Sequence, residues 1–138
     1  MRKLKIALAV LSLTLMGACS VQSKNNSAQI NGEWQVVELY GQPIPECLNT
    51  PTLTLNDSTS LFGGATGANE MTGHYQIKHD TITFLEGGVT LMMADSVSME
   101  VESHYLQAIG QTRTFAVEGD DLMMKDPEGN TIITLKKK

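Results

Sequence analysis

Short segments in which apolar and polar residues alternate make up most of the chain after residue 31. Alternation of this kind predicts β-strands with one buried face. The segments that show it are Trp34–Leu39, Thr52–Leu55, Tyr75–Lys78, Thr81–Phe84, Thr112–Glu118, Leu122–Lys125 and Thr131–Leu135. Turn-forming residues separate them at intervals of roughly 8–12 residues, which predicts an antiparallel meander that is closed or nearly closed.

One segment departs from this alternation. From Ser96 to Ile109 the apolar residues recur four apart, as in an amphipathic helix, at positions 97, 101, 105 and 109, with Glu100, Glu102 and Gln107 elsewhere on the helical wheel. Asp95 or Ser96 is suited to cap its start, and Gly110 is suited to end it. The predicted fold is therefore α+β and mainly β, with one helix, about residues 96–109, packed on an open or nearly closed barrel-like sheet.

The N-terminus has the pattern of an export signal. Basic residues at positions 2, 3 and 5 precede an apolar run, Ile6–Met16, and the small pair Gly17-Ala18 precedes Cys19. This ending predicts a lipoprotein signal peptide over residues 1–18 and lipidation of Cys19. An ordinary secretory signal remains the alternative. A membrane-spanning anchor is not favoured, because the apolar run is shorter than the roughly 20 residues that a span needs.

Polar residues follow, and they predict a flexible tether over residues 19–30 before a domain over residues 31–136. After cleavage, seven basic side chains stand against fifteen carboxylates, a formal charge of −8. An acidic surface argues against nucleic acid as a partner. The lysines at 136–138 are the one basic cluster and are interpreted as a solubilising terminus.

Glycines are concentrated between Gly63 and Tyr75, where there are four in thirteen residues. This density predicts turns, bulges or close backbone approaches, and Asn69 suits a left-handed turn or bulge position. The later segment Val89–Asp95 is a short apolar run that stops at a helix cap.

These two segments resemble the motifs of the META domain family, also called the HslJ-like family. The first reads Gly67-Ala68-Asn69 followed by Gly73-His74-Tyr75, and the second reads Thr90-Leu91-Met92-Met93-Ala94. Gly32-Glu33-Trp34 and Pro51–Leu55 fit the same pattern. The resemblance implies a β-meander, one helix and a final meander. Its motif residues are expected to be structural: Gly67, Ala68, Asn69, Gly73, Tyr75, Thr90, Met92, Met93 and Ala94.

The chain departs from the family pattern at three positions. The two family cysteines are Ala68 and Ala94 here, and the arginine that commonly follows the asparagine is Glu70. Because both cysteines are replaced together, the resemblance implies that positions 68 and 94 face each other.

Candidates for reactive or metal-binding chemistry are few. His74, His79 and His104 do not have metal-ligand spacing. The doublets Met92-Met93 and Met123-Met124 raise the possibility of copper binding, although core filling is the preferred interpretation.

Cys47 is the one thiol of the mature domain, and an inert loop or buried thiol is preferred to a reactive one. The sequence therefore predicts no enzyme and no cofactor.

The expected function is that of a lipid-anchored, non-catalytic domain of the bacterial cell envelope, monomeric and in the outer membrane. Contacts with an envelope protein are expected as its means of action, and the family resemblance implies a link to stress response or drug tolerance. A small-ligand or copper-binding barrel is the alternative.

Overall fold

The computed structural model describes residues 26–138. The predicted signal peptide and the predicted lipidation site Cys19 lie outside these residues. The elements, in chain order, are α1 (Asn26–Ile30), β1 (Gly32–Leu39), β2 (Gln42–Pro43), β3 (Thr52–Asn56), β4 (Leu61–Ala65), β5 (Glu70–Lys78), β6 (Thr81–Val89), α2 (Ser96–Gln111), β7 (Thr114–Glu118), β8 (Asp121–Lys125) and β9 (Thr131–Lys137).

The strands form one antiparallel sheet that closes on itself. Its order is β2-β1-β3-β4-β5-β6-β7-β8-β9, and β1 also pairs with β9. The ring of hydrogen bonds is uneven, because β6 and β7 share only the pair Thr81–Thr114. Beyond this pair, α2 runs beside β6, and Phe84, Leu106 and Ile109 line a common groove of about 300 Å³. The predicted class, mainly β with one helix on a barrel-like sheet, is confirmed.

The interior of the ring is filled by side chains from nearly every strand. Those that are fully or almost fully buried include Trp34, Leu53, Leu55, Ile82, Leu122, Met124, Ile133 and Leu135. Tyr105 of α2 is also fully buried and donates its hydroxyl to the carbonyl of Thr52 at 2.8 Å, which fastens the helix to β3. Burial raises the pKa of Tyr105, so this donor stays protonated.

The folded domain begins earlier than the sequence predicts. Residues 26–30 form α1, and Ile30 is completely buried. The indole Nε1 of Trp34 donates to the carbonyl of Ile30 at 2.8 Å, and Nζ of Lys137 lies 5.2 Å from the centre of the indole ring. The predicted tether is therefore wrong for its last residues, because an apolar contact at Ile30 orders them.

Strand β4 is the main element missed in the sequence. Its residues Gly63 and Gly64 lack side chains, so the alternating pattern that identifies a strand is absent. Glycine is required at Gly64, where φ is +153° and a Cβ would lie 2.1 Å from the carbonyl oxygen of Thr52. The missing side chain therefore permits a close approach between β3 and β4.

Helix α2 agrees with its predicted start and differs at its end. Asp95 is the N-cap and accepts from the backbone N–H of Ser98 at 2.9 Å. The helix continues through Gly110 to Gln111, because the backbone N–H and the hydroxyl of Thr112 both bond to the carbonyl of Ala108. This capping also explains why the following strand begins at Thr114 and not at Thr112.

The buried face of α2 is rotated from the predicted one. Val97 is 42% exposed, although the spacing placed it in the apolar stripe, whereas Glu102 is 8% exposed, although the wheel placed it outside. The face that packs on the barrel consists of Ser98, Val101, Glu102, Tyr105, Ala108 and Ile109. These positions keep the helical spacing, but two of them are polar.

Gly73 provides a test of the packing between β5 and its neighbours. A Cβ there would lie 2.5 Å from Cε1 of Phe62 and 2.9 Å from the carbonyl oxygen of Leu85. We expect Gly73→Ala to lower the free energy of unfolding by about 1–3 kcal/mol through overpacking. Urea denaturation measures the difference.

Gly88→Ala in the neighbouring strand is the matched control, because nothing lies within 4 Å of a Cβ at Gly88. It is expected to change stability by less than about 0.5 kcal/mol. Equal effects of the two substitutions would contradict the packing argument.

Candidate functional site

Part of the family-like motif, Gly67–Asn69 and Thr90–Met92, meets at one end of the barrel, and Asn69 is at its centre. Asn69 is 3% exposed, and its side chain makes four hydrogen bonds. Its Nδ2 donates to the carbonyl of Met92 and to Oε2 of Glu102, each at 3.1 Å. Its Oδ1 accepts from the N–H of Met92 at 2.7 Å and from the hydroxyl of Thr90 at 3.1 Å. The amide therefore ties the loop before α2 to the helix itself.

Asn69 contributes the hydrogen bonds of its side chain here, and not the tolerance of asparagine for a left-handed backbone. The non-glycine residues with positive φ among those described are Tyr40, Ser60, His79 and Glu86, so Asn69 lies in the predicted turn without a left-handed backbone. The turn is made at Gly67, where φ is +114°.

Glu102 completes the buried polar cluster. Its Oε1 accepts a hydrogen bond from the hydroxyl of Thr66, which is itself fully buried. The same hydroxyl oxygen of Thr66 accepts from the N–H of Asn69 at 3.1 Å, and the N–H of Thr66 donates to the carbonyl of Asn69 at 2.9 Å. Both carboxylate oxygens of Glu102 thus have a donor, as a buried carboxylate requires.

Gly67 brings this turn against the helix. A Cβ at Gly67 would lie 2.9 Å from the carbonyl oxygen of Ser98 and 3.1 Å from the backbone nitrogen of Glu102. The carbonyl of Gly67 accepts from the N–H of Asn49 at 2.9 Å. Only a glycine therefore fits between the loop that contains Asn49 and the first turns of α2.

Ser98 joins the loop of residues 44–51 to the same cluster. Its hydroxyl accepts from the N–H of Leu48 at 2.8 Å and donates to Oδ2 of Asp95 at 2.6 Å. The hydrogen bonds from the Ser98 side chain and backbone lower the pKa of Asp95. A lowered pKa means that this cap stabilises the fold above the ordinary range of aspartate and loses its effect as the pH falls through the lowered value.

The second half of the motif lies away from this cluster. Gly73 and Tyr75 lie at buried positions of β5, and Tyr75 is 3% exposed. Burial, and secondarily the charge of Asp57, raise the pKa of Tyr75. These two residues are therefore part of the core and do not contribute to a common site with Asn69.

The positions of the two family cysteines lie on segments that the Asn69 side chain joins. Ala68 is 2% exposed and its carbonyl accepts from Nδ2 of Asn49 at 3.4 Å, while Ala94 is half-buried just before the N-cap Asp95. Met92, two residues before Ala94, is bonded to Asn69. The pairing of positions 68 and 94 stays a prediction.

Three consecutive apolar side chains on this end are exposed. Leu91 is 95% exposed, Met92 65% and Met93 89%. Core filling, the preferred interpretation of the first methionine doublet, is wrong. The second doublet fits it, because Met124 is fully buried in β8 and Met123 points to the other face.

The histidines and the thiol are dispersed. His74 lies on β5, His79 in the turn that follows it and His104 on α2, all exposed. Within residues 26–138, no three histidine, cysteine, aspartate or glutamate side chains are grouped as they would be to hold a metal ion. Cys47 is half-buried, and its Sγ contacts the carbonyl of Asn49 at 3.6 Å. Burial raises the pKa of Cys47, which lowers its reactivity.

Asn69 and Gly67 are among the residues predicted from the sequence, whereas Thr66, Ser98 and Glu102 are not. A signal for two of these was present. Ser98 and Glu102 are spaced i, i+4 and lie in register with Tyr105 and Ile109, so an unbiased helical face includes them. The four-residue spacing of apolar residues instead predicts a stripe through Val97, which leaves Glu102 outside the buried face.

A family model described as the META domain matches residues 27–138.

The chain belongs to the META domain family.

Solved structures show the same fold. An NMR structure of a protein from Burkholderia xenovorans has a TM-score of 0.67 and 18% identity and covers 100% of this chain and 99% of that chain. A crystal structure of a DUF4847 family protein from Bacteroides vulgatus has a TM-score of 0.63 and 13% identity, with 83% and 98% covered. No curated protein matches the chain. Membership in the META domain family suggests a non-enzymatic domain.

The helices of this META domain are also too short or too polar to be membrane spans; this finding applies to residues 26–138.

Removing the Asn69 amide is the direct test of the cluster. We expect Asn69→Ala to lower the free energy of unfolding by about 2–4 kcal/mol, because buried partners on Met92 and Glu102 lose their hydrogen bonds. Urea denaturation measures this change, and Gln107→Ala on the exposed side of α2 serves as the control with an effect below about 0.5 kcal/mol.

The isosteric change Asn69→Asp adds a dependence on pH. It places a second carboxylate beside Glu102, so destabilisation relative to the unchanged protein is greatest near pH 7. It shrinks as the pH falls, since protonation of the introduced carboxyl removes the repulsion and restores a donor. A pH-independent difference between pH 7 and pH 5 would contradict the contact with Glu102.

The predicted pairing of positions 68 and 94 is tested by Ala68→Cys/Ala94→Cys in a Cys47→Ser background. We expect a bridge to form on oxidation without loss of the fold and to stabilise it by about 3–4 kcal/mol. Intact mass and peptide mapping detect the bridge. Thiols that stay reduced under oxidising conditions would show that the two Cα atoms lie beyond the roughly 7 Å that a disulfide spans.

Proposed function

We propose that this META domain is a lipid-anchored, non-catalytic component of the bacterial cell envelope that acts by contact with another envelope component. The anchor would be Cys19, and the outer membrane the location. Stress response or drug tolerance is the process in which such contacts would act.

The observation that carries the proposal is how the motif residue Asn69 and the buried side chains around it use their polar atoms. The side-chain groups of Asn69, Thr66 and Glu102 bond to one another and to the backbone. A group that is committed to four internal hydrogen bonds is not available to act on a substrate. The cluster therefore stabilises the conformation of this end of the barrel, and a fixed conformation is suited to binding a partner.

A second observation supports contact as the means of action. The shape that the cluster maintains presents Leu91, Met92 and Met93 to solvent. Exposed apolar residues that are adjacent and held in place mark interaction sites.

The alternative of a ligand-holding barrel is opposed by the interior. Trp34, Leu53, Leu122 and Leu135 are completely buried there and belong to one continuous apolar cluster. Side chains thus occupy the space in which a lipocalin-like barrel holds its ligand.

Mass spectrometry of the full-length protein extracted from membranes tests the anchor. We expect a diacyl or triacyl adduct on Cys19 and cleavage before it. Cys19→Ser is expected to move the protein to the soluble fraction, whereas the matched variant Cys47→Ser remains with the membrane. A soluble mature form with an unmodified Cys19 would overturn the anchored function.

A thermal-shift titration of the same protein with copper and zinc tests the alternative. A specific site stabilises the fold by about 2.7 kcal/mol at a hundredfold excess of metal over its Kd. We expect no saturable shift with either metal. A saturable shift would replace the contact function with metal binding.

A further inference from the structure

The exposed apolar side chains near the start of α2 form a surface that we call the apolar end, consisting of Leu48, Leu91, Met92, Met93 and Val97. Their exposed fractions are 62%, 95%, 65%, 89% and 42%. The three segments that carry them are joined by hydrogen bonds: Leu48 to Ser98, Met92 to Asn69, and Asn69 to Glu102. They therefore belong to one side of the molecule.

The apolar end is preorganised. The N–H and the carbonyl of Met92 are both bonded to Asn69, and the N–H of Thr90 donates to the carbonyl of Glu70 at 3.0 Å. The backbone of the loop is thus fixed before any partner arrives, which lowers the entropy lost on binding.

A groove continues the apolar end along α2. It has a volume of about 370 Å³ and is lined mainly by apolar side chains, among them Leu39, Tyr40, Ile44, Val97 and Val101. Because Val97 belongs to both surfaces, a bound segment can contact the loop and the groove together.

Negative charge surrounds this surface. The segments 38–49, 65–70 and 89–104 contain no lysine or arginine. Glu46, Glu70, Asp95 and Glu100 in these segments are exposed, and Glu100 also lines the groove. When a partner covers the apolar side chains, the residues at the edge of its contact face therefore lie next to these carboxylates.

We propose that the apolar end binds a basic, amphipathic segment of a partner protein, whose apolar residues cover Leu91, Met93 and Leu48 and whose lysines or arginines meet Glu46 and Glu100. This inference rests on the proposed contact function and names its surface and partner. Opposite charges at the rim of an apolar contact give such an interface its orientation and its selectivity.

The negative charge of this surface also argues against two other binding partners, an anionic lipid membrane and a second copy of this chain. Anionic lipid headgroups attract basic flanks, and the flanks here are acidic. In a symmetric dimer the same patch faces itself, so the carboxylates of one copy would oppose those of the other.

Photo-crosslinking in cells tests the inference on the full chain. Benzoylphenylalanine is placed at Leu91, and at Leu61 as the control, which is 44% exposed at the start of β4. We expect position 91 to crosslink to a protein segment that combines lysine or arginine with apolar residues, and position 61 to give no such product. A product with lipid, with a second copy, or none above the control would overturn the proposal.

Matched variants separate this contact from incidental capture. We expect Leu48→Ser/Met93→Ser to reduce the crosslink at position 91 by about tenfold or more. Glu46→Lys/Glu100→Lys should also reduce it, while Glu118→Lys/Glu128→Lys, with equal charge change elsewhere, should not. Thermal unfolding confirms that each variant stays folded.

Equal yields in the two charge-reversal variants would overturn the proposal even if a protein is captured. The outcome is independent of the anchor: acylated Cys19 without a crosslink refutes only this inference. An unmodified Cys19 with the expected crosslink refutes only the anchored location.

Discussion

The side-chain amide of Asn69 is the interaction on which one whole end of the domain depends. It joins the turn after β4 to the loop before α2 and to the body of α2, which lie more than 20 residues further along the chain. Two donors and an acceptor that takes two bonds are needed in the same small side chain, and only asparagine supplies them at this length. Aspartate lacks the donors, and glutamine is longer by one methylene. The residue is therefore specified by the pattern of its partners and not by the conformation of its own backbone.

The helix that receives this bond also lies near the weakest part of the ring. Strand β6 pairs with β7 at a single position, so most of its outer edge has no strand beside it in residues 26–138. Leu106 and Ile109 of α2 line a groove of about 300 Å³ together with Phe84 of this strand, and Tyr105 bonds α2 to Thr52 of β3. A helix near an exposed strand edge is one of the features that limit pairing with other chains. The helix thus takes part in the polar cluster and also flanks the open part of the sheet.

Sequence alone predicted the fold class, most strands and a helix cap at Asp95 or Ser96, because alternation and capping are local properties. It missed β4, since two adjacent glycines leave no side chains from which alternation can be read. It also misplaced the buried face of α2, because Ser98 and Glu102 are polar and their burial depends on partners that approach only in the folded chain. The exposure of Met92 and Met93 was likewise beyond local reasoning, since methionine is usually buried and only the position of the fixed loop reverses this.

The last residues of the chain return to its first strand. The N–H of Lys138 donates to the carbonyl of Glu33 at 3.0 Å, and its Nζ lies 2.6 Å from Oε1 of the same residue. Residues 33 and 138 are thus neighbours in space, so the pairing of β9 with β1 extends to residue 138. Removing residues 136–138 would therefore shorten the seam that closes the ring, and would also take away the lysine beside the indole of Trp34.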